Sequence, residues 1–193
     1  MEIEWQNIVS ITLNELDRFS EDKSCIMASL VLIDVLRNKG IKDAYPLTVK
    51  VRILNPAFTK RIITEPFPQT PELLAQWDDD GCHVVAIGYG ESTATQWQAH
   101  LVVITPKGIK GKDALCDLAI KQADVPKWNI FLGPVLFGMR DSFLKGTEDF
   151  GVIINECRII YKAFPNDQSF KQTPLWKNNL KRKLIVKEIL KRL

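Results

Sequence analysis

Histidine is scarce in this chain: only His83 and His100 occur in 193 residues. The four cysteines, at positions 25, 82, 116 and 157, form no CxxC pair, which excludes zinc-ribbon and thioredoxin-like motifs. Cys25, His83, His100 and Cys116 have no ligand spacing in favour of zinc, and "GYGES" lacks the spacing of a phosphate loop, so neither a metal nor an organic cofactor is expected. No run of about 18 apolar residues occurs, so no membrane span is expected. The opening "MEIEWQNIVS" is acidic and amphipathic, without the basic-then-apolar order of a secretory signal, and a cytoplasmic location is the expectation. Repeats, low-complexity tracts and linkers are also missing. Residues 1–193 are therefore expected to form a single domain with one sizeable core.

Charge is unevenly placed. Of 26 basic and 23 acidic residues, seven and one fall between Lys177 and Leu193, so the remaining body carries 19 and 22. A mildly acidic body argues against nucleic-acid binding over the whole surface and restricts any such contact to weak binding by the basic tail. The tail places Ile185, Val186, Ile189, Leu190 and Leu193 on one helical face. The spacing predicts a helix over 180–193 docked on the domain, with its lysines and arginines in solvent.

Periodicity predicts the other elements. Trp5, Ile8, Val9, Leu16 and Phe19 suit an amphipathic helix over 3–19. "SCIMASLVLIDVLRNKG" reads as a largely buried helix, with Ser24 as N-cap and Gly40 as its stop. "PLTVKVRIL" alternates as a half-exposed strand. Residues 55–80, with four prolines, read as a surface excursion holding one short helix at 71–77. "CHVVAIGYG" reads as a buried strand and "ESTATQ" as a turn. A hairpin follows, Leu101–Ile104 paired with Ala114–Ile120, and "GVIINECRIIYKAF" supplies one or two further strands. Helices followed by mostly antiparallel strands define an α+β layer arrangement.

Two polar residues interrupt the apolar strands of the hairpin, and they carry the functional argument. A hairpin centred between Gly108 and Ile109 would set His100 directly opposite Asp117, with Cβ atoms about 5 Å apart. Cys25 is expected in the first turn of its helix, where unpaired N–H groups and the helix dipole favour an anion. Thiolates in such positions have pKa values lowered from about 8.5 to roughly 3.5–7.5. Nucleophilic catalysis needs a thiolate, a base and a group that orients the base. His83, placed within a buried strand, has no carboxylate in view. Cys25, His100 and Asp117 are therefore the candidate triad, and Tyr89, Trp97 and Gln122 are the candidate substrate-binding residues. Cys82, Cys116 and Cys157 lie in apolar runs and suit a core.

"SCIMASLVLIDVL", "AHLVVI" and "CDLAIKQA" resemble, in that order, the Cys, His and Asp signatures of the papain-like transglutaminase and arylamine N-acetyltransferase superfamily. Gln122, five residues after the Asp, is also similar to a pattern in some bacterial transglutaminase-like proteins. The resemblance covers roughly residues 20–124. It implies a papain-like fold in which Cys25 is the nucleophile, His100 the base and Asp117 the orienting carboxylate. It also implies thiol-based hydrolysis or transfer of an acyl group from a peptide, protein or small molecule. "SEDKSC" replaces the Arg- and Gly-rich approach of the acetyltransferases, and Ile26 stands where transglutaminases carry Trp. No Gln lies close upstream of Cys25, so a backbone oxyanion donor is expected. The competing expectation is a binding or scaffold module on the same fold with the triad unused.

Overall fold

The computed structural model describes residues 4–21, 24–90, 97–177 and 180–193. Helix α1 (Trp5–Arg18) buries the face carrying Ile8, Val9, Thr12 and Leu16. Helix α2 (Cys25–Asn38) has every residue from Ile26 to Ile33 buried, and Ser24 caps it by accepting the Met27 N–H at 3.2 Å. After Gly40, at φ +92°, the chain enters strand β1 (Tyr45–Leu54). Helices α3 (Pro56–Thr64) and α4 (Pro71–Asp79) follow, then the strands β2 (Val84–Ile87), β3 (His100–Ile109), β4 (Lys112–Asp117) and β5 (Val135–Gly138). A short helix α5 (Asp141–Leu144) precedes the hairpin β6 (Phe150–Ile154) and β7 (Cys157–Ala163). Helices α6 (Pro174–Lys177) and α7 (Leu180–Arg192) end the chain. The expected turn at "ESTATQ" and the first residue of the expected 3–19 helix lie outside the described residues.

Among the described residues, seven strands join one curled antiparallel sheet in the order β5-β4-β3-β1-β7-β6, with β2 also paired to β1. One edge of β1 pairs with β7 through Val49–Leu54. Its other edge is divided: Tyr45–Val49 pair with β3, and Val51–Leu54 pair with β2. The chain leaves that edge after Ile87 and rejoins it at His100, and this break positions the candidate site. Helices α1, α2 and α7 cover one face of the sheet around Val103 and Cys116. The opposite face closes a second core around Val49, Val51, Val102, Ile104, Leu115 and Tyr161. The architecture is α+β.

Several local expectations need correction. Strand β1 is not half exposed: Thr48 is buried, its Oγ1 donating to Asp167 O at 2.9 Å, and Lys50 and Arg52 are half-buried. The start of the 55–80 excursion is helical. Asn55 accepts the Phe58 N–H at 3.0 Å, Pro56 occupies the first turn, and Phe58 packs edge-on against Trp77 at 5.1 Å. Pro56 thus starts a helix, where its missing N–H costs nothing, rather than breaking one. Strand β2 is shorter than "CHVVAIGYG" and only half-buried. The β3–β4 register is Val103↔Cys116 and Thr105↔Ala114, with a shift before Ile109↔Lys112. The loop is asymmetric, with Lys107, Lys110 and Gly111 at positive φ, so the true register differs by two residues from that of a symmetric turn. A two-residue offset preserves the face of every side chain.

The C-terminal helix docks. Ile185, Val186 and Ile189 are buried against α1 and α2. Its cations are less free than expected: Arg192 pairs with the buried Glu15 at 2.6 Å, Arg182 with Asp34 at 3.0 Å and Lys181 with Glu21 at 2.6 Å. None of the described helices is long and apolar enough to cross a membrane. Truncation after Asn179 should lower the melting temperature by several degrees, and Ile189→Ala alone should cost about 2–5 kcal/mol in urea denaturation. An unchanged melting temperature on truncation would contradict the docking.

Candidate active site

Cys25 is the first residue of α2 and is partly exposed. One turn further along, Ser29 Oγ donates to Leu101 O at 2.9 Å, and Ile26 and Leu30 pack with Leu101 and Phe170. These contacts fix the N-terminus of α2 beside the start of β3, where His100 is fully buried. The His100 ring has three neighbours. Nε2 lies 2.8 Å from Asp117 Oδ2, Nδ1 lies 2.9 Å from Gln122 Nε2, and Cys25 is near enough to act on the ring electrostatically. The structure thus brings Cys25, His100, Asp117 and Gln122 together.

Asp117 reaches His100 diagonally. In the observed register it falls two residues short of the position opposite His100, still on the same sheet face, and diagonal neighbours on one face remain within reach of long side chains. Its carboxylate is buried and accepts three hydrogen bonds: His100 Nε2 and Tyr161 OH (3.0 Å) on Oδ2, and Ala119 N–H (3.0 Å) on Oδ1. Donors replace water around the charge, as a buried carboxylate requires. Burial, the largest influence, lowers the His100 pKa. The Asp117 charge and hydrogen bond, with the Cys25 contact, outweigh it and push the pKa up to about 10. Burial, and then the Asp117 charge, also push the Tyr161 hydroxyl and the Cys116 thiol up, so both keep their protons.

The protonation state of His100 sets the orientation of Gln122. A neutral ring protonated at Nε2 accepts from the Gln122 amide at Nδ1. An imidazolium donates from both nitrogens, and the amide must then present its Oε1.

A cavity of about 670 Å³ opens over Cys25 at the break between β2 and β3. Its walls include Val85, Ala86 and Ile87 of β2, Trp97, Gln122 and the Thr173–Leu175 segment. Trp97 is held by its Nε1 donating to Ser169 Oγ at 2.9 Å and by edge contact with Phe170. Gly88 makes the wall possible: at φ +87°, a Cβ there would lie 3.2 Å from Ala99 Cα and Gln98 O. Tyr89 is exposed and does not line the cavity; its ring instead faces Lys50 Nζ at 5.2 Å. His83 precedes β2 instead of sitting mid-strand. It does have a carboxylate, Asp78 Oδ1 at 2.8 Å from Nδ1, and it stacks on Trp128, away from the cavity. No cluster suited to a metal ion occurs among the described residues.

Sequence reasoning missed Tyr161, Ser29 and the Ser169–Trp176 wall. Tyr161 alternates with Ile159 and Ala163 as an ordinary core position, and only β7 pairing with β1 brings it near Asp117. Comparison with protein-family models, curated proteins and solved structures finds no match for this chain.

The His100 shift has a measurable sign. A pKa raised from about 6.5 unfolded to about 10 folded gives stabilisation that is fully present below pH 6.5 and lost as pH rises through 10. Asp117→Asn removes the larger raising influence and leaves burial opposed only by the Cys25 contact. NMR titration should therefore place the wild-type ring near 10 and the variant below 6.5, and the stability difference between them should narrow from pH 6.5 to 10. A wild-type ring that titrates near 6.5 would refute the ion-paired description.

Proposed function

We propose that the chain is a thiol-dependent acyl hydrolase or acyltransferase of papain-like, transglutaminase-like architecture. The observation that carries this reading is the partly exposed Cys25 at a helix N-terminus, beside a buried His100 whose Nε2 is held by Asp117. A helix start beside the first residues of a strand is the arrangement that the three sequence signatures imply. The open cavity favours an enzyme over a sealed, unused triad.

In the proposed reaction the Cys25 proton resides on His100 Nδ1, which leaves a thiolate beside an imidazolium. The thiolate attacks the acyl carbon of an amide, isopeptide or thioester, and a C–S bond forms. His100 returns the proton to the leaving amine or thiol as the original acyl bond breaks. Water or an amine then attacks the thioester, gives its proton to His100, and Cys25 is released. Asp117 keeps its hydrogen bond to Nε2 throughout and fixes the ring orientation. No described group accepts the Cys25 backbone N–H, which leaves it available as an oxyanion donor, with the Gln122 amide on the same cavity as a second.

One contact favours the binding-module reading: a Gln122 amide donating to Nδ1 occupies the lone pair that would take the thiol proton. Alkylation separates the two. In the enzyme, iodoacetamide near pH 6 should modify Cys25 faster than the other three cysteines, His100→Ala should abolish that preference, and Gln122→Ala should leave or weaken it. Equal labelling of the cysteines, or labelling that rises several-fold in Gln122→Ala, would favour the unused triad.

A further inference from the structure

The cavity wall opposite Cys25 contains an unpaired strand edge. Asn55 N donates to His83 O at 3.1 Å, which makes these residues a hydrogen-bonded pair in the antiparallel β1–β2 ladder. Such pairs alternate. Ile53↔Val85 and Val51↔Ile87 are then also bonded, and Arg52↔Ala86 is not, so the N–H and C=O of Ala86 point away from β1. No described residue bonds to them. Ala86 is exposed, and it lines the same cavity as Cys25.

The cavity has a second property. Among the described residues, no Lys, Arg, Asp or Glu side chain lines it. A phosphate or carboxylate bound there would lose water without gaining a counter-charge. A neutral, extended peptide backbone fits both observations, since it can pair with a free strand edge and carries its own acyl groups.

We infer that the substrate is an uncharged, extended polypeptide segment that adds as a strand along the outer edge of β2, pairing with Ala86 and presenting an amide carbonyl to Cys25. This inference rests on the thiol chemistry proposed above. The four residues of β2 span about 13 Å at roughly 3.3 Å each, so three or four substrate residues would be gripped. Main-chain pairing supplies affinity with little side-chain selectivity, and Trp97 offers the cavity's large apolar surface.

The test uses the full chain and two chloroacetamides, one simple and one carried by a neutral Ala- and Gly-rich pentapeptide. Rates of Cys25 modification are followed by peptide mass mapping. Two main-chain hydrogen bonds should give the peptide reagent an advantage of about tenfold. Ala86→Pro removes the outward N–H at an edge position where Pro is tolerated, and it should bring the ratio of the two reagents' rates down to about one. Ala86→Val, which keeps the N–H, should retain the advantage. Methylating alternate backbone nitrogens of the peptide tests the same bonds without altering the protein, and one of the two alternations should lose the advantage. No peptide advantage in the wild type, or one that survives both Ala86→Pro and N-methylation, would overturn the strand-addition inference while leaving the thiol chemistry standing. Failure of simple chloroacetamide to prefer Cys25 would instead overturn the thiol chemistry on which it rests.

Discussion

A carboxylate held almost wholly out of water at the end of a β-sheet dictates much of this structure. Asp117 can stay charged there only if donors replace its hydration, and they come from three separate parts of the chain: His100 at the start of β3, Tyr161 in β7 and the Ala119 N–H after β4. Each donor constrains an element. Tyr161 reaches Asp117 from β7, on the far side of β1, and the Ala119 bond turns the chain out of β4 into the Ile120–Ala123 segment that carries Gln122. Losing any one partner leaves a buried charge under-satisfied, which costs more than the lost bond itself. The same arrangement raises the pKa of the imidazole that lies beside Cys25. Fold stability and site chemistry thus depend on one set of hydrogen bonds.

The break along the edge of β1 has the complementary role. If β2 and β3 were continuous, the strand edge would be sealed and the N-terminus of α2 would meet a closed sheet. Because β3 begins at His100 and β2 ends at Ile87, the start of α2 faces a cavity instead. Helix α2 is held by its buried face and by the Ser29–Leu101 hydrogen bond, so Cys25 sits on a rigid element. The opposite wall rests on contacts among Trp97, Ser169, Phe170 and Trp176.

Much of this was legible in the sequence where the physics is local. Ser24 as cap, Cys25 as first helical residue, the apolar α2 and the docked face of α7 all follow from composition and period. The pairing of His100 with Asp117 was legible for a reason more robust than the register used to find it. The two residues are offset from an exact pairing by two positions, and a two-residue offset does not change the face. What escaped was non-local. Residues 55–64 read as part of a surface excursion because the anchoring of Phe58 on Trp77 depends on a partner 19 residues away. Asp78 was not recognised as a partner for His83 because it ends a helix that brings it back over the chain. Tyr161 gave no signal, since its alternation is that of a core residue and its hydroxyl matters only once β7 lies beside β1.

The central claim is that Cys25 forms a covalent bond with an acyl group under the control of His100. Intact-mass spectrometry of the chain during turnover of p-nitrophenyl acetate addresses this most directly, together with the time course of p-nitrophenolate release. The account predicts a burst equal to one acyl group per chain, an adduct that maps to Cys25, and loss of both in Cys25→Ser and of the burst in His100→Ala. A chain that accumulates no adduct, or whose adduct maps to a lysine and persists in Cys25→Ser, would contradict it.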